Sequence, residues 1–564
     1  MFEKREAIKA RFEQRIDEIN ALKIKRRSPV DQWQFTVGNA LYPPALGWKP
    51  CLVKHLWDNT GEEPVWFETQ VQIPQREEHE SVLFDAWFGG ESLLFVDGKP
   101  FGEINPYHLQ VNMNAFADNK KHTISVQVVP HLLFGEKSEK RQLDHSHLLI
   151  IDQRISRFAE QLRITLETAF YTKDLLLSER LFSLLEKILS KTQIPRDTKT
   201  YADSLMDNPS ISQYIQKKYI SESLDYSQGH IFSFDFYERL EQAQTELSDR
   251  LDHLRQSFPP LGTLSAVGHA HIDYAWLWPI CETKRKIPRT FSNAVQMCRR
   301  YDKFVFAQSS AQMYKDIAED YPEIMNRIKE LHKKGQWEPV GGAWVEHDCN
   351  IPSPESLIRQ VYYGQKYFKK QFGSYSNVAW LPDVFGFPWT LPQILKEAQM
   401  DYFFTTKLTW NEKNPLPHDV MIWRGLDGSE VLYRSFKNQE GYNARLNPQT
   451  LFENWDHYRE KAKLPLGFIT FGYGDGGGGP SDEMMDHYEL LRTMPGLPRL
   501  EIMTTQEHFK KTVEAADQLE VWDDELYLEF HRGCYTTQAR TKKFHKKAED
   551  LLILLEMINH PTRH

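Results

Sequence analysis

Cysteine is scarce in this 564-residue sequence: there are five (Cys51, Cys281, Cys298, Cys349, Cys534) and no CxxC pair. An odd count without that spacing excludes a zinc ribbon and a complete disulfide framework, and a reducing compartment is the simpler setting. Cationic excess is missing too, since 69 Lys+Arg stand against 78 Asp+Glu for a net charge of -9. A nucleic-acid partner, which needs a concentrated positive footprint, is therefore not expected. No apolar run reaches the ~18 residues of a membrane span, and MFEKREAIKARFEQRIDEI carries charge from its third residue, where a secretion signal would be apolar. The expectation is a cytoplasmic protein with no membrane partner. What remains is ordinary globular composition, 40% hydrophobic and 13% aromatic, long enough for roughly three or four domains at ~150 residues each.

Along the chain, Ile8, Phe12, Ile16, Ile19 and Leu22 recur at helical spacing, which predicts an amphipathic N-terminal helix within residues 1–30. Residues 31–144 turn to short alternating runs (VWFETQVQI, VLFDAWF, SLLFVDGKPF, ISVQVV) with Asp97-Gly98 as a hairpin turn, a pattern that reads as a small β-sandwich. Residues 145–258 read as a helical connector. From 259 to 525, apolar runs (LSAVGHA, FVFAQ, NVAWL, YFFTT, GFITFG) alternate with helical segments such as YPEIMNRIKELHKKG, where Gly335 is a helix stop. Alternating β and α implies a parallel sheet or barrel, whose chemistry gathers where strands end. QARTKKFHKKAEDLLILLEMI, within 526–564, reads as helix.

The first run ends in GHAHID, where His271 and Asp273 are two apart and leave one face of an extended strand. Imidazole and carboxylate on one face can chelate Zn²⁺ or a similar ion, although the pair alone reads more simply as polar residues satisfied beside a strand end. NVAWL runs into Asp383 among apolar neighbours, where a carboxylate needs a partner that a metal would supply; taken alone it reads equally as a turn Asp before Gly386. Asp475 follows GFITFG in FGYGDGGGGP, where Gly476 to Gly479 let backbone come close to a ligand. Two carboxylates at separate strand ends are the minimum for glycosidic cleavage. Gln308, Trp344, Glu346, His347, Asp348 and Lys407 stand at other expected strand ends, and Trp276 and Trp278 follow the HxD pair. Tryptophans among polar groups suit a sugar, whose apolar faces stack while its hydroxyls take carboxylates and amides.

GHAHIDYAWLWP, CETKRKIPRTFSN, GGAWVEHDCNIPSPESLIRQ, WLPDVFGFPWTLPQIL, TTKLTWNEKNPLPHDVMIWRGLDGS, FGYGDGGGGP and EFHRGCYTTQARTKK occur in this order. Together they resemble the α-mannosidases of glycoside hydrolase family 38, cytosolic and bacterial branch, and GGESLLFVDGKPFGEINPYH looks like that branch's N-terminal β-domain. The resemblance implies an α/β fold: a seven-stranded (β/α) barrel-like catalytic domain, preceded by a small β-sandwich and helical connector and followed by the start of a helical middle domain. It implies a retaining hydrolase acting on terminal α-mannosyl units of oligosaccharides. His271, Asp273 and Asp383 match the family's metal ligands (Zn²⁺ or another divalent ion such as Co²⁺), with Asp383 also the nucleophile, Asp475 the general acid/base, and Trp276, Trp278, Gln308, Trp344, Asp348, Lys407 and His531 contacts to the sugar. The family's fourth ligand, a histidine in an HDxxPG-like motif of the middle domain, has no counterpart here, so the expectation is the N-terminal part of a longer enzyme, binding metal weakly, turning over α-mannosides poorly or not at all, and leaving the LLILLEMI stripe exposed. A metal-dependent carbohydrate deacetylase and an inactive sugar-binding fragment stay open as alternatives, as does a homo-oligomer.

Overall fold

A computed structural model describes residues 2–57, 63–138, 140–192, 232–515 and 519–559. The stretch 193–231 of the expected connector and the terminal 560–564 lie outside the described residues.

The helix Phe2–Ala21 buries Phe12, Ile16 and Ile19 along the stripe that the spacing predicts. It stops short of residue 30, because Ile24–Pro29 is a strand antiparallel to His145–Asp152. That partner strand moves the connector's start as well. Its run LLII is apolar on successive residues, which periodicity alone cannot tell from a helix, and it lies buried between Ile24–Pro29 and Glu80–Trp87. Two antiparallel sheets, one of four strands and one of six, face each other across a core that joins Val82, Phe84 and Leu148 to Phe67, Leu94 and Val126. In the larger sheet Ser92–Val96 and Lys99–Ile104 meet at Asp97-Gly98, with φ of 50° and 74°. Both φ values are positive, the condition of the tight hairpin turn that matches strand twist.

Helices Gln153–Tyr171, Leu175–Lys191 and Phe234–Ser257 follow, each begun by an N-cap side chain (Asp152, Asp174, Ser233) that accepts from first-turn backbone N–H groups. Beyond them the chain is α/β. Trp337–Pro339, Phe306–Gln308, Thr263–His269 and Leu466–Phe471 lie side by side and parallel, and Arg499–Ile502 also pairs with Thr263–His269. A second sheet orders Val378–Trp380, Tyr402–Phe404, Glu430–Arg434, Val420–Arg424 and Val521–Trp522, parallel except for the antiparallel pair 420–424 and 430–434. The two sheets are linked where Gly341 N–H donates to Val378 C=O at 3.0 Å and Gly472 N–H to Ala444 C=O at 3.1 Å. Gly335, at φ 77°, ends the helix Pro322–Lys333 as its position predicts.

The segment after 525 is not separate from this body. Leu526 bridges Phe387, and Tyr535 Oη donates to Phe385 C=O at 2.6 Å. The last helix, Ala539–Asn559, is tied by Glu549, which accepts from Ser353 N–H at 2.9 Å. Leu552, Leu555, Met557 and Ile558 on that helix are exposed. Among the described residues no helix is long and apolar enough to cross a membrane.

Candidate active site

His271 and Asp273 lie just past Thr263–His269, Asp383 past Val378–Trp380, Lys407 past Tyr402–Phe404 and Asp475 past Leu466–Phe471. All therefore sit at the carboxyl ends of parallel strands, where such folds present side chains to ligands.

The buried ring of His271 is the centre. Its Nε2 is 3.6 Å from Asp273 Oδ1 and its Nδ1 3.1 Å from Glu346 Oε2, yet neither nitrogen makes a well-aligned hydrogen bond. Burial works against a charge here, but Glu346 and Asp273 outweigh it and hold the imidazole well above its usual pKa. A ring drawn toward positive charge by two carboxylates is one on which a cation can take the proton's place. Glu346 is fixed from behind by Ser309 Oγ, which donates to Oε1 at 2.5 Å. A carboxylate on Nδ1 leaves Nε2 as the free lone pair, the way metal-binding histidines are oriented. His271, Asp273 and Asp475 each offer a ligand atom, and these lie within 4.8 Å of one another. His269 and Glu346 form a second such group with His271, but His269 is already engaged: Nδ1 lies 2.8 Å from Ala307 C=O, and Trp380 Nε1 donates to Nε2 at 3.4 Å.

Asp475 sits at φ 54°, a left-handed position that Asp tolerates better than most residues. Tyr442 Oη donates to its Oδ1 at 2.9 Å and Asn443 Nδ2 to its Oδ2 at 3.1 Å. Asp383 instead takes Lys407 Nζ at 2.6 Å, and the ammonium lies over the rings of Trp410 at 3.9 Å and Phe385 at 5.1 Å. The structure thus gathers His271 and Asp273 with Asp475 and gives Asp383 to Lys407, because a largely buried carboxylate takes the cation within reach. The Tyr442 ring lies beside that of His271, centroids 4.9 Å apart, and burial, then Asp383, Asp475 and Asp273, push its hydroxyl well above the ordinary range.

His531 packs on Phe385 and Trp410, with ring centroids 4.6 and 5.5 Å away, and closes the wall around Asp383. Trp276 is half exposed and meets Phe134 of the sandwich edge-on. The other expected sugar contacts have partners of their own. Trp278 is buried and donates to Thr283 Oγ1, Gln308 is buried beside Met313, Trp344 donates to Gln312 Oε1, and Asp348 accepts from the backbone of Asn350 and Ile351. Ser309, Tyr442, Asn443, Phe385 and Trp410 escape a sequence reading. For Tyr442 and Asn443 a signal exists: VMIWRGLDGSEVLYR carries Asp427-Gly428 between two strands, and the pair follows the second of them.

An α/β body with an acid-rich, imidazole-centred site at its strand ends has the equipment of a hydrolase. Residues 262–525 match the glycosyl hydrolases family 38 N-terminal domain, and this part of the chain belongs to that family. Alpha-mannosidase G of Dictyostelium discoideum is 41% identical over 52% of this chain and 27% of its own length. Human alpha-mannosidase 2C1 is 40% identical over 53% and 28%, and Saccharomyces cerevisiae alpha-mannosidase 39% over 53% and 28%. The match thus spans little more than a quarter of the length of these relatives. Among solved structures, an alpha-mannosidase from Enterococcus faecalis V583 is similar at 18% identity and a TM-score of 0.40, covering 47% of this chain and 31% of that one.

Proposed function

We propose that this chain is a retaining α-mannosidase that removes terminal α-linked mannose from oligosaccharides or glycoconjugates in the cytoplasm. The observation that carries the reading is the clustering of His271, Asp273 and Asp475 at the strand ends, with Tyr442 donating to Asp475 and Lys407 to Asp383, within a family 38 domain whose relatives at 39–41% identity are named alpha-mannosidases. The two sheets act as one barrel-like catalytic body, with the sandwich and helices packed about it.

In this reading Asp383 attacks the anomeric carbon and forms the glycosyl-aspartate intermediate. Lys407 compensates its charge and presents it beside the aromatic wall of Phe385, Trp410 and His531, on which a sugar face stacks. Asp475 protonates the leaving oxygen and then takes a proton from the attacking water, the exchange of roles that retention requires. Tyr442 and Asn443 hold both of its oxygens in place meanwhile. A divalent ion, zinc or one like cobalt, fits the donors His271 and Asp273, which with Asp475 offer ligand atoms within 4.8 Å of one another; the family's pattern would add Asp383 as the third ligand and leave Asp475 free for acid/base work. When bound it would supply positive charge against the sugar hydroxyls and ease the oxocarbenium-like state.

The test is hydrolysis of 4-nitrophenyl α-mannoside by the metal-loaded chain, followed by NMR of the first product. Initial α-mannose is expected, with Asp383→Asn losing at least about 10³-fold in kcat. Initial β-mannose, or unchanged turnover in Asp383→Asn, overturns the reading.

A further inference from the structure

The Asp475 loop is not held by the barrel alone. From the sandwich, Asn105 Nδ2 donates to Gly477 C=O at 3.2 Å, and the Tyr107 ring lies flat on Tyr473, centroids 4.1 Å apart and planes within 2°. His108 Nε2 is 3.3 Å from Pro480 C=O, and Asn293 of the helix Ile280–Arg300 donates to the carbonyls of Gly478 and Pro480 at 2.9 and 3.0 Å. The Asn105 amide is itself oriented, since its Oδ1 accepts from the N–H of Tyr107 at 2.8 Å and of His108 at 3.0 Å. Its NH₂ is thereby aimed outward at the loop.

The glycines answer to the same contact. A Cβ on Gly476 would stand 2.8 to 2.9 Å from Lys286 Cδ and Nζ, and one on Gly478 would fall on the Glu103 carboxylate. Lys286 is pinned by Glu91 at 2.7 and 2.9 Å and by Leu133 C=O at 3.1 Å, Glu103 is buried on the sandwich strand Lys99–Ile104, and both glycines hold a positive φ, 79° and 95°, that a side chain rarely takes. The loop is threaded between two domains, and only residues without a side chain pass.

We propose that the sandwich hairpin at Glu103–His108 positions Asp475, gripping the glycine loop at Gly477 and Tyr473 so that the sandwich is a working part of the α-mannosidase site. Asn105 and Tyr107 are positioning residues: they touch the loop, and Gly477 is two residues from Asp475. The inference rests on the function proposed above, in which Asp475 is the acid/base.

Asp475's help is needed in proportion to how poor the leaving group is, so misplacing it has a particular signature. Asn105→Ala, Tyr107→Ala and Tyr107→Phe are compared in the full zinc-loaded chain; Tyr107 is 43% exposed, so its truncation spares the sandwich core. Kcat and KM are measured on 2,4-dinitrophenyl and methyl α-mannosides, and amide hydrogen exchange is followed in the peptide covering 472–480. Both alanine variants should exchange faster in that peptide alone. They should lose about 10–100-fold in kcat/KM, which reports the glycosylation step, on the methyl glycoside, the order expected for a misplacement near 1 Å, and lose far less kcat/KM on the dinitrophenyl one. Tyr107→Phe, which keeps the stack, should behave as wild type. Unchanged exchange, equal losses on both substrates, or a Tyr107→Phe as impaired as Tyr107→Ala overturns the proposal. If wild type cleaves neither mannoside, the α-mannosidase reading falls, and the hairpin's hold is decided by exchange, where unaltered protection in both alanine variants refutes it.

Discussion

Glu91 joins the sandwich to the barrel through charge that water does not reach. Its carboxylate takes Lys286 Nζ at 2.7 and 2.9 Å and Arg289 at 2.7 Å, and Arg289 also reaches Glu282 at 2.7 Å. All four side chains are at most 3% exposed. Two buried cations face two buried anions, with the partly exposed Arg285 in addition 3.3 Å from Glu282, and burial pushes nearby Glu103 up to about 8, so it adds no charge at neutral pH. Glu91→Gln keeps the shape and removes one negative charge, leaving a net buried cation. Breaking a buried pair in this way costs about 3–5 kcal/mol. At ~2–4 °C per kcal/mol for units of 150–250 residues, that is roughly 6–20 °C in Tm by calorimetry at pH 7. The sign of the pH dependence is a sharper check. Burial already lowers the Lys286 pKa, and losing Glu91 lowers it further. Between that value and the unfolded one the unfolded chain binds more protons, so stability rises with pH and the deficit of Glu91→Gln should narrow toward alkaline pH. Glu91→Gln/Lys286→Met, which deletes the stranded cation, should recover most of the loss. A deficit below about 1 kcal/mol at pH 7, or one that widens with pH, would refute the reasoning.

Glu346→Gln should weaken divalent-ion binding by about 10–100-fold without changing stoichiometry, because it loosens the orientation of His271; chelator competition measures this, and affinity equal to wild type dismisses the role. A slow fluorinated mannosyl donor should label Asp383, located by mass spectrometry of the peptide containing WLPDVFG, whereas label on Asp475 would exchange the two carboxylates' roles. Burial holds His108 down to about 4 against an ordinary 6.5, with Asp482 as its facing charge and the protonated Glu103 at 3.5 Å. The unfolded chain takes a proton that the folded one refuses, so His108 contributes stability above about 6.5 that is lost as pH falls toward 4. Thermal melts of wild type and His108→Gln should diverge over that interval, and parallel curves would count against it.

What was legible in the sequence is what local pattern controls. The stripe of Phe12, Ile16 and Ile19, the Asp97-Gly98 turn and the stop at Gly335 each depend on residues within a turn or two, and all stand where expected. The HxD pair and the aspartates after NVAWL and GFITFG could be picked out because alternating β and α sends every strand end to one side. What could not be read is which of those ends become neighbours. Asp383 meets Lys407, 24 residues on, and His271 meets Glu346, 75 residues on, because of strand order, and no spacing in the chain announces it. The glycine run shows the same limit from the other direction. Four glycines say that something comes close to the backbone, and a ligand is the natural guess; at Gly476 and Gly478 it is Lys286 and Glu103. The two proposed catalytic carboxylates are consequently built in different ways. Asp383 takes its partner, Lys407, from within the α/β body, while the loop of Asp475 is held by a domain folded some 370 residues earlier. Damage to the sandwich should therefore reach proton transfer before it reaches nucleophilic attack, and a variant that still forms the glycosyl-enzyme from an activated mannoside while failing on an alkyl one would be its mark.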